Sequence, residues 1–344
     1  MKTLYDISWQ VTEPEYRADP ALSYSTLAKF AREGFNNLDT LFDKIETPSL
    51  TFGSAVDALI TGGESEFNEH FIVADFPTIG DAVLKMVKEA FNRCSENCRS
   101  LNDVPVQDLI DISEDLKYQL NWKPETRARV VKEQGGEYYA LLYLAKDKTI
   151  LNCETYSQVM TAVTALKTSP ATARFFVEGN DNLERNYQLK FKATLNGVDY
   201  RCMADLIIVD HENKIVYPID LKTSSHTEWD FYDSFIQWRY DIQARLYWRI
   251  IRANMNQDEQ FKDYELADYT FIVVNKKTLT PLAWGFEDTK KEGTLVYGKH
   301  QQIELQDPFE LGRQLSIYLS SRPLVPEGVN GDSSNSITEW LNKK

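Results

Sequence analysis

Residues 187–223, YQLKFKATLNGVDYRCMADLIIVDHENKIVYPIDLKT, decide the fold. In 187–195, Tyr187, Leu189, Phe191, Ala193 and Leu195 alternate with Gln188, Lys190, Lys192 and Thr194. That period of two puts the apolar set on one face of a strand. Asn196-Gly197 follows, and both residues tolerate the positive φ that a two-residue hairpin turn demands. The chain turns back through VDYRCMADLIIVD, and a polar turn from Asp210 to Asn213 leads to a third strand, KIVYPIDLKT. A three-strand meander is the expected nucleus of the sheet.

Outward from the meander the periodicity is mostly helical. Residues 22–45 read as a helix capped by Ser23 or Ser25, and 52–61 (FGSAVDALIT) as a second helix beyond Pro48. Residues 84–133 read as a helical insertion outside the sheet, ended by Gly135 and Gly136. GEYYALLYLA reads as a strand, and 154–169 as a helix stopped by Pro170. One long helix is expected from about Trp229 to Ala253, then strands at DYTFIVVN and PLAWGF, a helix and a tail. This order predicts an α/β fold with a mixed central sheet flanked by helices, not the regular alternation of a doubly wound sheet. Residues 1–180 are expected as an N-terminal helical elaboration packed on the core, 181–322 as the core, and 323–344 as a tail with a short helix.

Composition narrows the function. The chain has 344 residues, 42% of them hydrophobic, which is ample for a large core. Its net charge of −14 argues against a protein that binds nucleic acid through a basic surface. Contact with DNA must then be local, through a basic cleft or through metal ions held by carboxylates. Acidity that merely maintains solubility fits the same number. Four scattered cysteines (Cys94, Cys98, Cys153, Cys202) do not make a disulfide framework. The opening MKTLYDISWQ lacks a signal peptide's apolar run, and no stretch is long enough to cross a bilayer. A cytoplasmic location is expected, with no membrane partner.

The chemistry concentrates in the third strand. Asp220 and Lys222 share one face of KIVYPIDLKT, with Cβ atoms roughly 7 Å apart by the strand rise. Asp205, in CMADLIIV, is flanked by apolar residues, and an antiparallel neighbour can bring it to Asp220. Two close carboxylates repel and need a countercharge. A hard cation with oxygen ligands supplies one, with the Leu221 carbonyl as a further ligand. Lys222 would orient or deprotonate a water, or neutralise charge in a transition state. A surface ion pair on a half-exposed strand satisfies the same pattern. Downstream, Gln243 and Tyr247 form an i, i+4 pair that could hold a phosphate or a carboxylate. Arg245, Arg249 and Arg252 lie nearly opposite, where a basic solvent face is the simpler reading.

Taken in order, Asp205, Asp220-Leu221-Lys222 and Gln243-x-x-x-Tyr247 resemble the PD-(D/E)XK nuclease superfamily, restriction-endonuclease-like in fold. The likeness is to its RecB-type and RecE-like branch, with exonuclease VIII and lambda exonuclease. SYSTLAKF and FGSAVDALI resemble the branch's N-terminal helices, and Glu184 sits where RecE-like proteins carry an additional acid. The branch often has histidine where this chain has Asp57, which the resemblance makes a metal or water-network residue. It implies Mg²⁺, with Mn²⁺ able to substitute, held by Asp205, Asp220, Leu221, Glu184 and Asp57. It further implies hydrolysis of linear double-stranded DNA ends in phage or bacterial recombination, a homo-oligomeric ring and a single-strand annealing partner.

Other chemistries fit less well. An iron–sulfur cluster needs cysteines on both sides of the core, and none follows Lys222. Cys94 and Cys98 lack a second ligand pair for zinc, and His70 stands alone in the sequence. His211, His226 and His300 read as surface residues. A nuclease-like fold that no longer cuts, serving as a DNA-binding or protein-interaction module, is the competing class.

Overall fold

The computed structural model describes residues 2–42, 48–75, 79–176, 182–224, 226–275 and 278–321. The expected tail, 323–344, lies outside the described residues. The main sheet contains β1 (Leu183–Leu195), β2 (Val198–Asp210), β3 (Ile215–Ser224), β4 (Thr270–Asn275) and β5 (Pro281–Gly285), side by side in that order. β1, β2 and β3 form the antiparallel meander, β4 runs parallel to β3, and β5 returns antiparallel. Asn196 and Gly197 close the first hairpin with φ of 52° and 77°. The architecture is mixed α/β, a central mixed sheet flanked by helices.

Each face of the sheet is covered by helices. On one lie α1 (Tyr24–Glu33) and, after β3, α7 (Phe231–Trp238) and α8 (Tyr240–Met255); Leu27, Phe30, Phe235 and Ile250 pack there against Phe191, Cys202 and Phe271. On the other lie α2 (Pro48–Thr61) and α6 (Cys153–Thr168); Phe52, Val56 and Val159 pack against Leu206, Ile219 and Ile272. Between α2 and α6 comes an insertion of α3 (Asp81–Cys94), α4 (Val106–Asp115) and α5 (Pro124–Ala145), with its own core of Met86, Leu109, Val131 and Tyr139. Among the described residues a final helix, α9 (Pro308–Ser321), follows the sheet.

Several local expectations give way to packing. GEYYALLYLA is the second half of α5, not a strand, and Gly135 does not end the helix. A Cβ there would lie 2.3 Å from Val87 Cγ2, so this glycine lets α5 approach α3. The helix expected from Trp229 to Ala253 breaks at Arg239, which is left-handed (φ 57°, ψ 45°) and pairs with Asp241 at 2.9 Å. The 22–45 helix ends at Glu33, where Gly34 (φ 64°) passes the chain into a 3₁₀ turn. Arg245 is not on a solvent face. It is fully buried, donating to the carbonyls of Lys291 and Gly293 and pairing with Asp307 at 3.2 Å. His211 is also largely buried, against Glu184 and Tyr264.

The apolar alternation of β1 also reverses. Tyr187 packs on the α2 side, whereas Leu189 and Phe191 pack on the α8 side. The ladder pairs Tyr187 with Leu206 and Leu189 with Ala204, skipping Gln188 opposite Asp205. Gln188 has φ 53°, and the strand turns over at this left-handed residue without a change of register.

Candidate active site

Strand β3 places Asp220 and Lys222 on the face covered by α8, as period-two geometry requires. Asp220 is 1% exposed, and its Oδ2 lies 2.5 Å from Lys222 Nζ. A carboxylate this deep is costly unless paired, and the ammonium is the compensating charge. Burial pulls the Lys222 pKa down, but Asp220, Tyr240 and Asp205 outweigh it, leaving the pKa above the ordinary lysine range. The ammonium also lies 4.9 Å over the Tyr240 ring.

Gln243 reaches the same carboxylate from α8, its carboxamide donating to Asp220 Oδ1. Tyr247, one turn further, is buried in an aromatic wall, edge-on to Tyr24 at 6.5 Å and to Tyr269 at 6.2 Å. The i, i+4 pair is thus divided: the glutamine holds a carboxylate and the tyrosine packs.

From β2, Asp205 Oδ2 accepts the Leu221 N–H at 2.9 Å. Leu221 thus meets Asp205 through its amide N–H. Burial, then the Asp220 and Asp57 carboxylates, push the Asp205 pKa well above the usual range. Asp57 arrives from α2, where Gly53, one turn earlier, permits the approach. A Cβ on Gly53 would lie 2.9 Å from Thr223 Oγ1 on β3. The Asp57 Oδ2 accepts from Gln188 Nε2 at 2.9 Å, and its Oδ1 is buried without a partner. Burial and the Asp220 carboxylate, partly offset by Lys222, push its pKa up to about 7.

Asp57, Asp205, Leu221, Lys222, Tyr24 and Tyr240 line one cavity of about 550 Å³, with Asp220 buried beneath. A larger, shallower depression of about 740 Å³ lies on the insertion between Arg129, Lys132 and Glu133, and no chemistry converges there. The cavity's candidate metal ligands among the described residues are carboxylate oxygens. Asp57 Oδ1 accepts no hydrogen bond, whereas Asp220 Oδ2 is held by the Lys222 ammonium. Among the described residues, three carboxylates against one ammonium leave excess negative charge, which suits a hard divalent cation. The tightest group of candidate ligands among the described residues lies elsewhere, on the exposed helix Gly63–His70. Ligand atoms of Glu66, Glu69 and His70 lie within 4.8 Å of one another there, so His70 has neighbours after all; the three cavity carboxylates do not all approach so closely.

Glu184 is not brought to this group. Its carboxylate lies towards the far end of β1, accepting from Leu4 N at 3.0 Å and Asn186 Nδ2 at 2.7 Å, and facing His211 Nε2 at 2.8 Å. It ties the N-terminal segment to the sheet as a structural clamp and is not a ligand of this cavity. Sequence reasoning missed Gln188, Tyr240 and the role of Gly53. Only Gly53 left a signal, the G-x-x-x-D spacing within FGSAVD.

The chain matches no family model and no curated protein. A solved structure named "Putative exonuclease", from Eubacterium rectale, is similar over 91% of this chain and 85% of that one, at 12% identity and a TM-score of 0.40.

Proposed function

We propose that this chain is a metal-dependent deoxyribonuclease of the PD-(D/E)XK type, acting as an exonuclease on ends of linear duplex DNA. One observation carries the reading: Asp57, Asp205 and Lys222 meet on a single cavity above Asp220, with the buried Asp57 Oδ1 lacking a donor. An inert scaffold has no need of such mutually repelling acids. Asp205, Asp220 and Asp57 would hold Mg²⁺, or Mn²⁺ in its place. Such an ion polarises a phosphate oxygen and lowers the pKa of bound water. Lys222, kept protonated by Asp220, neutralises charge gathering on the phosphate. Gln243 fixes the Asp220 carboxylate in orientation.

Trp238 lines the same cavity and is 45% exposed, with the Arg32 guanidinium 5.3 Å from its ring. An aromatic and a cation so placed suit a nucleotide at the mouth, which gives this acidic chain a local means of meeting DNA. By its resemblance to the RecE-like branch, the proposal extends to phage or bacterial recombination, a homo-oligomeric ring and a single-strand annealing partner.

The test is incubation with linear duplex, closed circular and single-stranded DNA, with Mg²⁺ or with chelator. Acid-soluble nucleotides released from linear duplex alone, only with the metal and not by Asp220→Asn, are expected. Cutting of closed circles would make it an endonuclease. Binding without cleavage under Mg²⁺ or Mn²⁺ would replace the proposal with a non-cutting module.

A further inference from the structure

We infer that Gln188 is a positioning residue for the cation site proposed above, holding Asp57 through its side chain and shaping the strand at Asp205 through its backbone. The inference rests on the metal-dependent reading. Gln188 lies inside the thirteen-residue strand β1 with φ 53°, a left-handed conformation that a residue bearing a Cβ adopts only where its surroundings hold it. The ladder resumes on both sides of it, so the break is a local device rather than a frayed end.

Its consequences converge on two carboxylates. The skipped pair is Gln188 opposite Asp205. Around it, Leu189 and Ala204 face the α8 cluster, whereas Leu206 faces the α2 cluster and Tyr187 packs against it. In an uninterrupted sheet, residues two apart share a face. The reversal puts Asp205 at the crossover between the two layers, where it can meet Asp220 from the α8 layer and Asp57 from the α2 layer. The side chain completes the arrangement: Nε2 donates to Asp57 Oδ2 at 2.9 Å and leaves Oδ1 without a partner. One residue with no charge of its own thus orients the acid of a helix 131 positions away.

Two substitutions in the full-length protein separate the backbone and side-chain roles. Gln188→Gly keeps the left-handed turn and deletes the carboxamide. Mg²⁺ titration calorimetry should show affinity weakened by about tenfold or more, as for other residues that orient metal ligands. Loss of the donor to the buried Asp57 Oδ2 lowers the variant's melting temperature, and relief of the left-handed turn offsets part of that loss. Gln188→Ala should lose the same affinity and melt lower than Gln188→Gly, because its Cβ strains the turn. If alanine prevents folding, the glycine variant alone decides the side-chain role. In an Asp57→Ala background, Gln188→Gly should weaken Mg²⁺ binding no further. Parent-like affinity in Gln188→Gly would overturn the positioning role while leaving the nuclease reading intact. Equal melting of the two variants would overturn the backbone role. A parent protein that neither binds Mg²⁺ or Mn²⁺ nor cuts DNA would overturn both readings together.

Discussion

Gln243, on the helix that crosses one face of the sheet, donates its carboxamide N–H to the buried Oδ1 of Asp220 on the central strand. The opposite oxygen of that carboxylate faces Lys222. An amide on one side and an ammonium on the other fix the plane of the acid, and the Gln243 Oε1 is itself buried without a donor. The arrangement couples α8 to the chemistry of β3.

Gln243→Ala should therefore cost both stability and rate. Asp220 Oδ1 would lose its donor in a dry environment, worth about 1–3 kcal/mol in urea unfolding. The initial rate on linear duplex should fall by at least about tenfold. A variant as fast as the parent would remove Gln243 from the site.

Lys222→Ala takes away the one ammonium that the described residues set among three carboxylates. Breaking a buried pair by removing one partner costs about 3–5 kcal/mol, and Lys222 sits near the lower bound because part of its side chain reaches the cavity. Thermal melting in chelator should show the loss, and cleavage should fall by about 10²-fold or more. Normal turnover by this variant would refute the role given to Lys222.

The raised carboxylates fix the sign of a pH effect. Asp57 has a pKa of about 7 when folded, against 3.8 ordinarily, and Asp205 is raised in the same direction. Between the two values the native state binds more protons than the unfolded chain, so these groups lower stability as pH rises from about 4 to about 7. Relative to Asp57→Asn, the parent in chelator should lose on the order of a few kcal/mol over that window. Saturating Mg²⁺ should restore part of it at pH 7 and above. A pH-independent difference between the two proteins would contradict the buried placement of Asp57.

Gly53→Ala tests how α2 meets β3. The added methyl would press on Thr223 Oγ1 and push the helix, with Asp57, away from the cavity. Activity should drop by about an order of magnitude, while overpacking costs about 1–3 kcal/mol. Adding Thr223→Ala should recover much of both. Failure of the second change to help would place the defect elsewhere.

Gly135→Ala probes the insertion. Alanine favours a helix by about 1 kcal/mol over glycine, but its methyl would collide with Val87 and approach Leu101. Net destabilisation in chemical unfolding is expected, with the rate per folded molecule unchanged. A stabilised variant would mean that α5 does not press on α3.

Local order was written plainly in the chain. The meander follows from side-chain alternation and the Asn196-Gly197 turn. The neighbourhood of Asp220 and Lys222 follows from their spacing of two, and that of Gln243 and Tyr247 from their spacing of four. These are properties of the period of an element, and a single chain carries them without its neighbours. Contacts between elements were not legible in this way. Glu184 looked like a ligand until the register set it by His211, and Arg245 looked exposed until Gly293 and Asp307 closed over it. GEYYALLYLA has strand-like residues, yet the cores of α3 and α4 hold it as helix. Gln188 reads as an ordinary outward residue, and only the meeting of two helix layers at one point of the sheet makes its reversal worth the strain. The sequence by itself determined which side chains share a face; packing between distant segments decided which faces meet, because that depends on contacts no local period encodes.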